Sequence, residues 1–158
     1  MKLGQLDDAL RELQELQRIS PTSVQGGIAE AMAYSMAGDT ARAVESIRQA
    51  LMFAVVPDEV AFLYCLLGQM FAMAGEIETA IDCYYVASTV GVQTEYTSVA
   101  RQAMEALLAQ IGAARDGQDG QGEGSFTATV DAQPTAPSRE HALGSLEAAG
   151  IPIAPRSR

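Results

Sequence analysis

The stretch AFLYCLLGQMFAMAGEIETAIDCYYVASTVGV, residues 61–92, decides the fold. It divides at Gly75 into two halves, each with apolar residues at helical spacing. Glycine just past a helix end takes the left-handed conformation without steric cost, so Gly75 reads as a stop between two helices. Small Gly68, Ala80 and Ala87 let two antiparallel helices approach closely, and Tyr64, Leu67, Phe71 and Tyr84 fill the space between them.

Outward from this pair the same punctuation recurs. Towards the N-terminus, LDDALRELQELQRI carries Leu6, Ala9, Leu10, Leu13 and Leu16 on one helical face. Ser20-Pro21-Thr22 breaks it, because proline removes a donor and disfavours helix at the residue before it. Helices are predicted at about Val24–Ala37, stopped by Gly38, and at Thr40–Ala54, closed by Pro57-Asp58. The quoted pair reads as about Glu59–Ala74 and Glu76–Val90, the second stopped by Gly91. A last helix, Thr94–Ile111, is expected to stop at Gly112. Composition agrees: aromatics make up only 6%, Trp is absent, and Ala, Leu and Met dominate over strand-favouring runs. The expected class is all-α.

Aligned on their glycines, Gly4-Gln5-Leu6-Asp7-Asp8-Ala9, Gly38-Asp39-Thr40-Ala41-Arg42-Ala43 and Gly75-Glu76-Ile77-Glu78-Thr79-Ala80 share an acidic residue nearby and Ala five residues on. Gly4 to Gly38 is 34 residues and Gly38 to Gly75 is 37, the extra three falling around Met52–Val56. With Tyr64, Leu67, Gly68, Phe71, Ala80, Tyr84 and Ala87 in register, the chain resembles the tetratricopeptide-repeat (TPR) family, whose period is 34 residues. Val92 replaces that family's terminal proline. In the preceding repeat Ala31, Tyr34, Ala43, Ile47 and Ala50 fit, whereas Gly27 and Glu30 stand where the family prefers large apolar residues. The first repeat survives as its second helix, with Ala9, Leu13 and Pro21 in register and Leu16 where Ala is expected. The resemblance implies a short helix-turn-helix solenoid over residues 1–112.

Solenoid repeats cannot bury their faces alone, and about three are usually needed. The chain offers two full repeats, half of another and a capping helix. Leu6, Leu10 and Leu13 then need cover from a second protomer, a bound partner or sequence upstream of a longer N-terminus. A homodimer through the N-terminal helix, concentration-dependent association or marginal stability is expected.

Composition changes abruptly near Gly112. GAARDGQDGQGEGSFTATVDAQPTAPS is rich in Gly, Gln, Asp and Ser and buries too little apolar surface to offset its conformational entropy. Residues 113–137 read as a disordered linker. Residues 138–158 read as a flexible tail with room for one short helix, Leu143, Leu146 and Ala149 lying three apart before IPIAP.

Chemistry is hard to assemble from these residues. His141, the single histidine, stands in the tail, so no His-based triad or metal site forms in the helical part. The Gly-rich stretch 117–124 lacks the strand and Lys-Ser/Thr of a phosphate loop. Asp7/Asp8 and Glu76/Glu78 stand at helix starts, where they favour the macrodipole. Cys65 and Cys83 form no CxxC pair and read as small hydrophobes, though neighbouring helices could bring the thiols together. No cofactor is indicated, and the expectation is a protein that is not an enzyme.

A net charge of −10, with Asp and Glu outnumbering Lys and Arg 14 to 6 in residues 1–111, argues against nucleic acid. It is compatible with a basic or amphipathic partner. No apolar run reaches the roughly 18 residues of a membrane span, and the start lacks signal-peptide character, so a cytoplasmic location is expected.

In TPR proteins the first helices of successive repeats line a concave groove that holds a peptide or helix of another protein. By that resemblance the partner-binding positions are Gln25, Ile28, Met32, Ser35, Phe62, Cys65, Gln69 and Ala72, with Tyr96 and Val99 added by the last helix. The set lacks the Lys/Arg clamp that chaperone-binding TPRs use for an acidic tail. The last repeat running into TEYTSVARQAMEALLAQI is similar to class II type III secretion chaperones, which hold translocator proteins in the bacterial cytoplasm. Missing N-terminal helices and the long Gly/Pro tail depart from that pattern. The expected function is a protein-binding chaperone or adaptor, or else a structural assembly subunit packed permanently through its repeat faces.

Overall fold

The structure, a computed structural model, describes residues 3–90, 93–118 and 136–153. Among these the chain is all-α: α1 Leu3–Ile19, α2 Val24–Met36, α3 Thr40–Phe53, α4 Pro57–Ala74, α5 Ile77–Ser88, α6 Glu95–Gln118 and α7 Arg139–Ala148. Each of α1 to α6 packs on its neighbours in the chain, and α2 also meets α4, as α4 meets α6. One side of the array is therefore built from alternate helices.

Local signals set the boundaries. Asp39 caps α3 by accepting from the Arg42 N–H, and Ser23 caps α2 by accepting from Gly26. Pro57 occupies the first turn of α4, where its missing N–H costs nothing. Gly38 and Gly75 sit at φ 78° and 82°, and the following Asp39 and Glu76 N–H groups donate to Tyr34 and Phe71 carbonyls. Both are Schellman closures that use the glycine conformation.

The core runs through α2 to α5. Tyr64, Leu63, Leu67, Ile47 and Leu51 are its largest fully buried side chains there. Gly68 lies against the Tyr84 ring so closely that an added Cβ would stand 2.8 Å from it, which is the close approach its position suggested. Gly27 does the same for α2 and α3, where a Cβ would meet Ala50 at 2.9 Å. Nearby, the Ser46 hydroxyl donates to Glu30 at 3.1 Å, a polar contact where the repeat pattern favours an apolar one. Both departures from the repeat pattern thus have a local use.

Three expectations change. The last helix of the array passes through Gly112 and continues to Gln118. The Ala113-Ala114-Arg115 that follows is strongly helix-forming, and one interior glycine costs only about 1 kcal/mol. Six residues of the expected linker are therefore helical, while residues 119–135 lie outside the described residues.

Residues 138–153 of the expected tail are also structured, and 154–158 lie outside the described residues. α7 packs on α5, and Ala142, Leu146 and Ile151 join the core cluster. Its buried face runs through Ala142 and Leu146, while Ala149 is exposed. The reason lies in α5, where Ala80 to Tyr84, Val86 and Ala87 are all buried. A helix apolar over most of its surface needs cover on several sides, and α4, α6 and α7 supply it.

On α1, Leu10 and Leu13 are half-buried within the chain itself, and Gln14 donates to the Tyr34 hydroxyl at 2.9 Å. Gln17 is half-buried with them, whereas Gln14, Ala9 and Leu16 are exposed, and Leu6 lies outside the described side chains. The fully exposed apolar surface here is Leu16 and Ile19, while the chain itself covers Leu10 and Leu13 in part.

Candidate functional site

Helices α2 and α4 lie side by side with α3 behind them, and a cleft opens between the two. Ala31, Met32, Ser35 and Met36 line it from α2, Leu66, Gln69 and Met70 from α4, and Ile47 from α3 at its floor. Its volume is about 190 Å³. Ile47 and Ala31 are fully buried, whereas Met32 is 51% and Met36 60% exposed. The cleft therefore has a fixed apolar floor and a movable thioether rim, since methionine has three rotatable bonds and adapts to what it touches.

The ten expected groove positions do not share one surface. Met32, Ser35 and Gln69 line this cleft. Gln25 stands further along α2, exposed and donating to Glu59 at 3.2 Å, a bridge between the first turns of α2 and α4. Ile28 turns inward and is buried with Ala31 in the core, so it is removed from any binding surface.

Three of the remaining five lie where α6 meets α4. Phe62 and Tyr96 pack with ring centroids 4.7 Å apart, and the Cys65 thiol donates to the Tyr96 carbonyl at 3.4 Å. These three hold α6 to α4, and each stays partly exposed. Ala72 is half-buried against the core, and Val99 is exposed on α6. Met36, Leu66 and Met70 were missed. Met36 and Met70 stand four residues after Met32 and Leu66, so the cleft follows the facing edges of α2 and α4 where the repeat pattern pointed to their centres.

Nucleophilic chemistry finds no support in the thiols. Burial pushes Cys65 up to about 11, and burial, with the Asp82 carboxylate adding to it, raises Cys83 as well. At neutral pH both are protonated, whereas the thiolate is the reactive form. Among the described residues no group of three His, Cys, Asp or Glu side chains is placed to hold a metal ion. No described helix is long and apolar enough to cross a membrane.

A second cavity, about 300 Å³, lies where the C-terminal segment meets α3. Glu45, Arg48, Gln49 and Met52 face Glu147 and Gly150 to Ile153 across it. The chain itself spans this site, and the Arg48–Glu45 ion pair at 3.4 Å occupies its polar side.

Compared with known proteins, no family model matches the chain, and no curated protein or solved structure matches it either.

Proposed function

We propose that this protein is a non-catalytic, TPR-like scaffold that holds a peptide or helix of another protein in the cleft between α2 and α4. The observation that carries this reading is the cleft's construction: exposed Met32 and Met36 over a buried Ala31–Ile47 floor. An exposed apolar lining is costly in water and is a usual mark of an interaction site. The alternation of helices, with α2, α4 and α6 on one side, supports TPR-like packing together with the 61–92 repeat.

Within that class, a bacterial cytoplasmic chaperone similar to those for type III secretion translocators is the specific form we favour. It draws on the resemblance of the last repeat and α6. Isolation of partners with the intact chain and with Met32→Glu/Met36→Glu tests the reading. Both side chains are exposed, so the substitution should leave the helices folded while abolishing partner binding. Partners retained by a folded double variant would reject the cleft.

The competing reading is a structural subunit packed permanently against others. It draws on the exposed run Met52, Phe53, Val55 and Val56 at the α3–α4 turn. In that case Val55→Asp, and not the methionine variant, would release the partner.

A further inference from the structure

Residues 49–100 supply α4, α5 and the start of α6, and they contain no Lys, Arg or His. They do contain Asp58, Glu59, Glu76, Glu78, Asp82 and Glu95. The arginines of the preceding helices are already engaged at short range: Arg11 with Asp8, Arg18 with Glu15, Arg42 with Asp39 and Arg48 with Glu45. Among the described residues, Asp58, Glu59 and Glu76 take part in no ion pair. The last turns of α2 and α4 carry no basic residue either. At α2 the Arg42 guanidinium stands over the Tyr34 ring and pairs with Asp39, whereas the C-terminus of α4, beside exposed Met73, has no cation from its own last turn.

These charges bracket the cleft. At 1.5 Å per residue along α4, Glu59 lies roughly 10 Å before Leu66, and Glu76 stands just past the other end of that helix, after the Gly75 turn. We infer that the cleft takes a basic peptide segment of another protein, with an apolar anchor between Met32, Met36, Leu66 and Met70 and Lys or Arg on both sides of it. This rests on the peptide-holding reading above and adds the chemistry of the occupant. Volume agrees with an anchor side chain. A cavity of about 190 Å³ is below the roughly 300–1,000 Å³ of small-molecule sites. An acidic segment would enter a field set by a net charge of −10 with no cation at the cleft to receive it. A basic one is steered in, and its capture weakens as salt screens the attraction.

Fluorescence anisotropy with three labelled peptides tests this. Each has roughly a dozen residues, about three helical turns: one of Lys and Leu in amphipathic order, a twin with Glu for Lys, and a twin with Ser for Leu. The full chain is compared with Met32→Ser/Met36→Ser and with Asp58→Asn/Glu59→Gln, each first confirmed as folded by circular dichroism and thermal melting. The Lys/Leu peptide should bind best and weaken with salt, and each double variant should lower its affinity by about tenfold. Equal binding of the Glu/Leu twin, still lost in the methionine variant, would overturn the basic occupant and leave the peptide-holding cleft standing. Equal binding of the Lys/Ser twin, with no effect of the methionine variant, would overturn both.

Discussion

The Tyr64 hydroxyl donates to the Pro152 carbonyl at 2.9 Å, joining α4 to a residue 88 positions further along the chain. Replacing it by Phe leaves that carbonyl without this donor and should cost about 1 kcal/mol. Leu146 and Ile151, both fully buried, hold the same segment by packing. Leu146→Ala should cost about 2–5 kcal/mol through lost contacts and the cavity left behind. Urea unfolding of both variants gives the comparison. A Leu146→Ala protein with the wild-type midpoint would mean that α7 is not docked in solution.

Gly68→Ala places a methyl group 2.8 Å from the Tyr84 ring. Overpacking of this kind should destabilise by about 1–3 kcal/mol. Shortening the ring in Gly68→Ala/Tyr84→Leu should recover part of the loss, and a double-mutant cycle measures the coupling. Simple additivity of the two substitutions would show that the helices are not in this contact.

The thiols make a pH prediction with a definite sign. Cys65 and Cys83 both titrate above their ordinary range, burial being the main cause, and Tyr84 is raised in the same direction. Groups raised in the folded state contribute stability that is intact below their unfolded pKa values, about 8.5 for Cys, and lost as pH climbs towards the folded values. Urea midpoints should therefore be level near neutrality and fall between about pH 9 and 11. Thiol labelling of the native chain at neutral pH should be slow and accelerate on unfolding. Fast labelling of the folded chain would contradict the buried, protonated state.

On α1, Gln17 has a buried side-chain oxygen with no hydrogen-bond partner. Gln17→Met keeps the length and removes that polar atom, so thermal stability should hold or rise by about 1 kcal/mol. A clear loss would show that the amide has a partner in solution.

The sequence by itself determined the class and most of the boundaries. Serine, aspartate, proline and glycine at the ends of α2, α3 and α4 act through their own backbone and immediate neighbours, so their effect is legible in a linear string. Gly68 opposite Tyr84 was legible for the same reason, because a strong repeat fixes the register of its two helices. In the tail, Ser138 caps α7 by accepting from His141, and Gly150 closes it at φ 72° with the Ile151 N–H on the Leu146 carbonyl. Those signals stand in the string too, yet ten residues of helix are marginal alone.

Only the tertiary structure decided what that helix gains. α5 is buried on most of its circumference, and burial of its last side depends on a segment more than fifty residues away in the chain. The proposed binding surface was decided in the same way. Repeat spacing chose Phe62, Cys65 and Tyr96 as groove positions, and α6 packing across α4 draws all three into the contact between the helices. The facing edges of α2 and α4 leave Met32, Met36, Leu66 and Met70 around an open cleft. Helical spacing tells which residues share a face; which face remains in water depends on how the neighbouring helices cross it.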